Sequence, residues 1–275
     1  MADPSTADLL AFALALADEA DSVALSYYRG GDLGTERKAD GSLVTRADRA
    51  VEEHLRERIG ARFPDHAILG EEQGYAAPRS EQRSAQGGAE GSSTRWIVDP
   101  IDGTHSYARG VPVWATLIAC ERGGTIEVGV ASAPALGTRW WAGRGMGAWR
   151  APLPFREAER IAVSNIAHVE EAQVLYGSHR LCLARWPRGF EALLARAWRT
   201  RGYGDFWGHC LVAEGAAEVM LEGDIRPWDI AALQVIVEEA GGRLTDGSGA
   251  RTIDAGYSIT SNAALHAEVL RVLEA

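Results

Sequence analysis

Trp96-Ile97-Val98-Asp99-Pro100-Ile101-Asp102-Gly103-Thr104 begins as a buried strand and breaks at an acid. Asp99-Pro100 is predicted to stop that strand, because proline lacks a backbone donor and restricts the residue before it. Asp102 follows three residues later, with the Ile101 carbonyl between, so that two carboxylates and a backbone oxygen could converge on a hard cation such as Mg²⁺. Gly103-Thr104 then offers backbone N–H groups and a hydroxyl that suit a phosphate if a helix starts there. The competing reading is an Asp-Pro turn followed by an aspartate helix cap, since both residues are common in turns. The remainder of the chain has to decide between the two.

Working outward, the 275 residues are 46% hydrophobic and 24% charged, enough for one large domain or two closely packed ones. The net charge of −10 argues against nucleic acid or an anionic membrane as a partner, and an acidic protein that handles phosphate needs local cations. Three cysteines without paired spacing (Cys120, Cys182 and Cys210) indicate neither a disulfide framework nor a zinc cluster. Asp3 and Asp8 stand where a signal peptide would carry positive charge, and no apolar run reaches the ~18 residues of a membrane span, so a cytoplasmic protein is expected. Lys38 is the only lysine among 28 basic residues. Either a compact ammonium is needed there, or it is a chance survivor on the surface of an arginine-rich chain.

Leu9, Ala13, Leu16, Ala20, Val23 and Tyr27 recur at helical spacing and predict a helix over 5–29, capped by Ser5 or Thr6. Thr45 with Asp48 resembles a capping box for a second helix striped by Ala47, Val51, Leu55 and Ile59. Asp48 is then either a structural cap or a site residue. Ala67-Ile68-Leu69 is a strand ending at Gly70-Glu71-Glu72, which repeats the logic of the opening stretch, and residues 74 to 94 read as a surface loop without core pattern. Strands are expected over 113–121, 125–131 and 138–142 as an antiparallel meander, with Trp140, Trp141 and Trp149 packing between layers. A loop over 151–160 and an edge strand at 161–163 follow.

The second half alternates strand and helix: strands at 174–176, 200–204 and 218–222, with helices near 187–198 and over 205–217. Pro227-Trp228-Asp229-Ile230 opens another helix, with proline at its first position and Asp229 in its first turn. Strands at 243–246 and 257–260 and a final helix from about Asn262 complete the chain. The expected organisation is an N-terminal α+β part over 1–160, with the large antiparallel sheet and most of the candidate ligands. A C-terminal α/β part over 161–275 completes one compact unit.

Glu71, Asp99, Asp102 and Asp229 thus each sit at the end of a strand or the start of a helix. Bringing such carboxylates within about 4 Å costs on the order of 4 kcal/mol per pair at an effective dielectric near 20, so their gathering implies a compensating cation. No histidine or cysteine stands among them, which favours magnesium over zinc.

Gly70-Glu71-Glu72, WIVDPIDGT and Trp228-Asp229 with the following Ile-Ala-Ala resemble, in order, the three signature segments of the inositol monophosphatase superfamily of Mg²⁺-dependent, lithium-sensitive phosphatases. Within it, RGVPVWATLIA, SAPALGTRWWAGRGMGA and YGDFWGHCLVAEGAAEVMLE are most similar to histidinol-phosphatases of the actinobacterial type. The resemblance implies a layered α/β/α/β/α sandwich, commonly a homodimer, and two or three Mg²⁺ held by Glu71, Asp99, the Ile101 carbonyl, Asp102 and Asp229. It implies phosphate on the Gly103 and Thr104 N–H groups, and attack by a water that Asp48 and Thr104 orient and deprotonate, with Glu71 counted among the catalytic residues. Lys38 matches a site lysine. Glu222 matches a substrate-hydroxyl contact that here could meet the amine or imidazole of histidinol, and Asp205 is a candidate second acid; strand-end acid and helix cap are the alternatives for these two. His105-Ser106-Tyr107 departs from the pattern, which has a small or basic residue, then Asn and an aromatic; His105 is expected to be solvent-exposed or to pack, with a place facing the site as the alternative, and His209 to pack in the core or at an interface.

The implied activity is hydrolysis of L-histidinol phosphate in histidine biosynthesis. The same chemistry on inositol monophosphate or a related sugar or nucleotide phosphate is the first alternative, and a catalytically idle phosphate-binding protein is the second. No ligand or water-activating residue is missing, which argues against the second.

Overall fold

The computed structural model describes residues 3–31, 33–39, 41–78, 94–154 and 157–274. The chain runs through α1 (Thr6–Tyr27), a hairpin of β1 (Glu36–Arg37) and β2 (Leu43–Val44), α2 (Arg46–Arg62), β3 (Ala67–Gly70) and β4 (Gly74–Ala76). There follow β5 (Thr94–Asp102), α3 (Thr104–Ala108), β6 (Ala115–Arg122), β7 (Thr125–Ala133), β8 (Thr138–Gly143), β9 (Gly147–Pro152) and β10 (Glu159–Ile161). The rest comprises a 3₁₀ turn at Val169–Glu171, β11 (Gln173–Tyr176), α4 (His179–Arg185), α5 (Gly189–Arg196), β12 (Arg199–Arg201), α6 (Asp205–Ala213), β13 (Val219–Glu222), α7 (Pro227–Glu239), β14 (Gly242–Thr245), β15 (Ser258–Asn262) and α8 (His266–Glu274).

Strands β3 to β10 form one eight-stranded sheet in the order β10-β9-β8-β7-β6-β5-β3-β4, antiparallel except where β3 lies parallel to β5. Successive residues of β5 face opposite layers, as strand geometry requires. Trp96 and Val98 pack with Leu9, Leu16, Val51, Leu55 and Ile59 of α1 and α2, while Ile97 packs with Phe206, Leu233 and Val237 of α6 and α7. A second sheet, ordered β12-β11-β13-β15-β14, packs Val174, Leu221 and Ile259 against Cys182, Phe190, Leu193 and Val269 of α4, α5 and α8. The order of layers is α1/α2, large sheet, α6/α7, small sheet, α4/α5/α8: the expected five-layer α/β/α/β/α sandwich.

Several local expectations need correction. Pro100 does not stop the strand: β5 runs on to Asp102, and the break takes the form of a register shift against β6 between Asp99 and Asp102. Residues 74–76 form edge strand β4 on β3 rather than loop, while residues 79–93 of the expected loop lie outside the described residues. The expected loop over 151–160 is flanked by strand on both sides, because β9 extends to Pro152 and pairs with β10, which begins at Glu159 and ends two residues before the expected limit. The helix expected near 187–198 is α5, Gly189–Arg196, and α4, His179–Arg185, is a further helix before it that the sequence pattern does not predict; Ser178 caps α4, its hydroxyl accepting from Leu181 N–H at 3.5 Å. β12 ends at Arg201, α6 at Ala213, and α8 starts at His266 because Asn262 still pairs within β15. Trp140 and Trp141 pack between layers as expected, whereas half-buried Trp149 sits on β9 and donates its ring N–H to the Met146 carbonyl.

The contact that matters most for the site is that of α7 on the large sheet. Gly129 of β7 lies so close to this helix that a Cβ there would stand 2.3 Å from the Ala232 carbonyl oxygen and 2.6 Å from Val235 Cγ1. Gly129→Ala is therefore expected to destabilise by about 1–3 kcal/mol through overpacking against backbone that cannot yield. Gly60→Ala, on an open face of α2, should stabilise by about 0.5–1 kcal/mol. Urea denaturation of the two variants beside the parent measures both.

Candidate active site

The parallel pairing of β3 and β5 sets Gly70 opposite Val98, so the acid that follows each of these two residues emerges at the same place. Glu71 arrives from β3 and Asp99 from β5. Pro100, without an N–H, loosens the ladder at that point; the Asp99 carboxylate accepts the Ile101 N–H at 2.9 Å, and the Thr116 hydroxyl donates to the Pro100 carbonyl at 2.9 Å. The irregularity re-aims Asp102 into the same space, a common use of a bulge beside a site. Asp229 comes from the first turn of α7, where it accepts the Arg226 N–H at 2.7 Å. Asp99, Asp102 and Asp229 each place a carboxylate oxygen within 4.8 Å of the others. Glu71 stands beside this triangle, near enough to Asp99 for its charge to raise that carboxyl.

Burial drives the electrostatics. Asp99 and Asp102 are raised well above the ordinary aspartate range, first by loss of water, then for Asp99 by Glu71 and Asp102, and for Asp102 by Asp205 and Asp229. Burial, reinforced by Glu71 and Asp205, pushes Asp229 up to about 7. Glu71 is also raised by burial, with Lys38 pulling against it. The Lys38 ammonium lies 2.8 Å from a Glu71 oxygen and 2.6 Å from one of Glu72, and although burial opposes its charge the two carboxylates hold it in the charged form. The lone lysine thus has a partner in the site. Such a set of oxygens without soft donors suits a hard cation, which Asp99, Asp102 and Asp229 could hold, with Glu71 and the Ile101 carbonyl beside them.

Asp48 caps α2 and also faces Thr104. One oxygen accepts the Thr45 N–H at 2.8 Å and hydroxyl at 2.6 Å, closing the capping box, and the other faces the Thr104 hydroxyl at 3.2 Å. Burial raises this carboxyl to about 6. Thr104 Oγ1 also reaches the Ile101 carbonyl at 2.9 Å. Its single proton can serve only one of the two acceptors well. Gly103, at φ 83°, turns the chain from β5 into the five-residue α3, and a Cβ there would meet the Val113 carbonyl at 3.0 Å.

A second acidic pair lies beside the first. Asp205 opens α6 at φ 54°, a strained left-handed conformation for a residue with a Cβ, and donates its N–H to Glu222 at 3.2 Å. Burial raises both, and for Glu222 Asp205 adds to it. With Asp102 and Asp229 they line a cavity of about 90 Å³, and a wider one of about 390 Å³ opens beside Lys38, Glu71, Trp228 and Asp229. Asp102 joins the two groups by accepting the Phe206 N–H at 2.6 Å. His209 packs as expected: buried, kept neutral by a pKa pushed down to about 3, its Nδ1 2.8 Å from the Thr260 hydroxyl. Exposed His105 lowers the Asp205 pKa through its charge. Two residues of this region carry contacts that the sequence does not predict: Glu72, expected only as a second acid at the end of β3, pairs with Lys38, and Glu52, a fully buried acid one turn beyond Asp48, holds the turn after β3. Its spacing of four from Asp48 on a predicted helix was the available signal.

The profile of the inositol monophosphatase family matches residues 5–275. A histidinol-phosphatase of Mycobacterium tuberculosis is 43% identical, and one of Streptomyces coelicolor 40%, each over 98% of both chains. Among solved structures, an IMPase of Thermotoga maritima superimposes with a TM-score of 0.80 at 31% identity, over 97% of each chain.

The buried acids predict an inverted pH dependence. A carboxyl whose folded pKa is raised contributes stability below its unfolded value, which is lost as pH rises through the folded one. In chelator, stability should therefore fall as the pH rises from about 4 through the Asp229 value of about 7. Asp229→Asn should flatten that fall and melt higher than the parent at pH 8; a variant that melts lower there, with the slope unchanged, contradicts the assignment.

Proposed function

We propose, because the chain belongs to the inositol monophosphatase family, that this phosphoric monoester hydrolase acts on L-histidinol phosphate with Mg²⁺ as its metal. The observation carrying the substrate is the buried pair Asp205 and Glu222 beside the main cluster. Two buried acids side by side favour a cationic ligand, and histidinol brings an ammonium and an imidazole, whereas inositol is neutral. The identity to histidinol-phosphatases over nearly the whole chain supports the same choice.

Glu71, Asp99, Asp102, Asp229 and the Ile101 carbonyl would hold two or three ions. Mg²⁺ bound there supplies a water of lowered pKa and neutralises charge on the phosphoryl group and leaving oxygen. The Gly103 and Thr104 N–H groups would orient the phosphate. The Thr104 hydroxyl reaches both the Ile101 carbonyl at 2.9 Å and Asp48 at 3.2 Å; with that carbonyl held by a cation the hydroxyl would donate to Asp48, and the pair would accept the proton of the attacking water. Asp48, raised to about 6 and anchored by two hydrogen bonds from Thr45, is a rigid base. Water attack in line needs no phosphoenzyme. Histidine biosynthesis, a homodimer, lithium sensitivity and a cytoplasmic location extend this reading, the last supported by three cysteines that all remain free.

Assays of histidinol phosphate, inositol 1-phosphate and adenosine bisphosphate side by side test the substrate, and a large preference for inositol phosphate would sink it. Glu222→Gln and Asp205→Asn should each raise KM for histidinol phosphate about 10- to 100-fold, the equivalent of one charge-assisted hydrogen bond. Asp99→Asn should lose turnover and Mg²⁺ binding together. Thr104→Ala should lose about 10²–10⁴-fold in rate while Mg²⁺ still binds. Calorimetry showing unchanged Mg²⁺ affinity in Asp99→Asn would refute the metal assignment.

A further inference from the structure

Asp48, Glu52 and Arg56 are spaced by four along α2 and so share one face of the helix. Asp48 reaches the site directly. Glu52, with none of its surface exposed, accepts the Glu72 N–H at 2.7 Å and the Gln73 N–H at 3.0 Å. Arg56 donates Nε to the same carboxylate at 2.7 Å and Nη2 to the Gly74 carbonyl at 2.5 Å. One carboxylate and one guanidinium thus hold the backbone of residues 72–74, the turn that carries Glu71 toward Asp99 and Glu72 toward Lys38. The approach requires Gly70, where a Cβ would lie 2.4 Å from Glu52 Oε1 and 2.9 Å from Arg56 Nη2.

We infer that Glu52, braced by Arg56, is a positioning residue that fixes the Glu71 carboxylate for cation binding. Glu52 contributes no oxygen to the cation, because its acceptors face the turn's N–H groups and Arg56. Its charge is needed for geometry: three donors converge on it, and a neutral amide would set its own NH₂ against one of them. The supporting ion pair also keeps Glu52 from adding an unbalanced buried charge beside Glu71 and Glu72. Supporting hydrogen bonds of this kind change metal affinity about 10- to 100-fold when removed from liganding side chains. A backbone clamp one residue from the ligand acts by the same constraint.

The inference rests on the metal role proposed for Glu71, so the experiment includes Glu71→Gln. Mg²⁺ titration calorimetry is run on the full chain and on the Glu71→Gln, Glu52→Gln and Arg56→Lys variants, alongside rate against Mg²⁺ concentration. Glu52→Gln should weaken Mg²⁺ binding about 10- to 100-fold and raise the Mg²⁺ concentration for half-maximal rate in parallel, with most of kcat restored at saturating Mg²⁺. A merely structural role would instead lower the active fraction without moving the affinity of the folded part. Arg56→Lys keeps the charge but cannot bridge Glu52 and Gly74 as the guanidinium fork does, and should shift Mg²⁺ affinity the same way by less. Loss of affinity in Glu71→Gln with unchanged affinity in folded Glu52→Gln overturns the inference. If Glu52→Gln does not fold, Arg56→Lys decides, and unchanged affinity there overturns it equally. Unchanged affinity in Glu71→Gln overturns the metal reading first, and the inference with it.

Discussion

Mutual repulsion among buried carboxylates is the constraint around which this molecule is arranged. Glu71, Asp99, Asp102 and Asp229 come together at the edge of the large sheet, and burial pushes each toward the neutral form. At about 4 Å and an effective dielectric near 20, each ionised pair costs on the order of 4 kcal/mol. Such a cluster persists only on a scaffold stable enough to carry it. The five layers supply that stability, with an apolar core on both faces of the large sheet and on the outer face of the small one. Each acid is carried just after a strand, at the irregularity within β5 or in a helix first turn, where rigid backbone fixes a short side chain. Lys38 relieves part of the repulsion at the rim, on Glu71 and Glu72.

This arrangement explains which features were legible in the sequence. The acids stood out because each interrupts an apolar pattern, and strand alternation with helical spacing placed both sheets and most helices. Pro100 lacks a donor and so predicts a strand end, whereas Thr116 and the Asp99 side chain satisfy the freed groups and let β5 continue through the irregularity. β4 is three residues long, with a half-exposed pattern, and is held by β3 rather than by its own propensity. α4 is short, and its single buried residue, Cys182, gives no apolar stripe to read. Glu52 escaped because a charged residue on a helix reads by default as solvated, and its burial depends on a turn twenty residues away. Local pattern carries secondary structure; it does not carry polar contacts between elements.

The two acidic groups are joined rather than merely adjacent. Asp102 points toward Asp99 and Asp229 and also accepts the Phe206 N–H at 2.6 Å, which ties the end of β5 to the start of α6. Asp205 precedes Phe206 and is held in the left-handed region, a conformation that persists only when its surroundings over-determine it. The Asp102 bond and the Asp205 N–H to Glu222 are two of those determinants. Whatever charge settles on the first cluster therefore acts on the second through one residue: neutralising Asp102 by a cation changes the field at Asp205, and a cationic group beside Asp205 and Glu222 lowers the cost of ionising Asp102. Any coupling between a cation on the first cluster and a cationic group on the second acts equally in both directions, since linkage between two sites is reciprocal. A substrate that carries both a phosphate and an ammonium is the kind of ligand that engages both clusters at once.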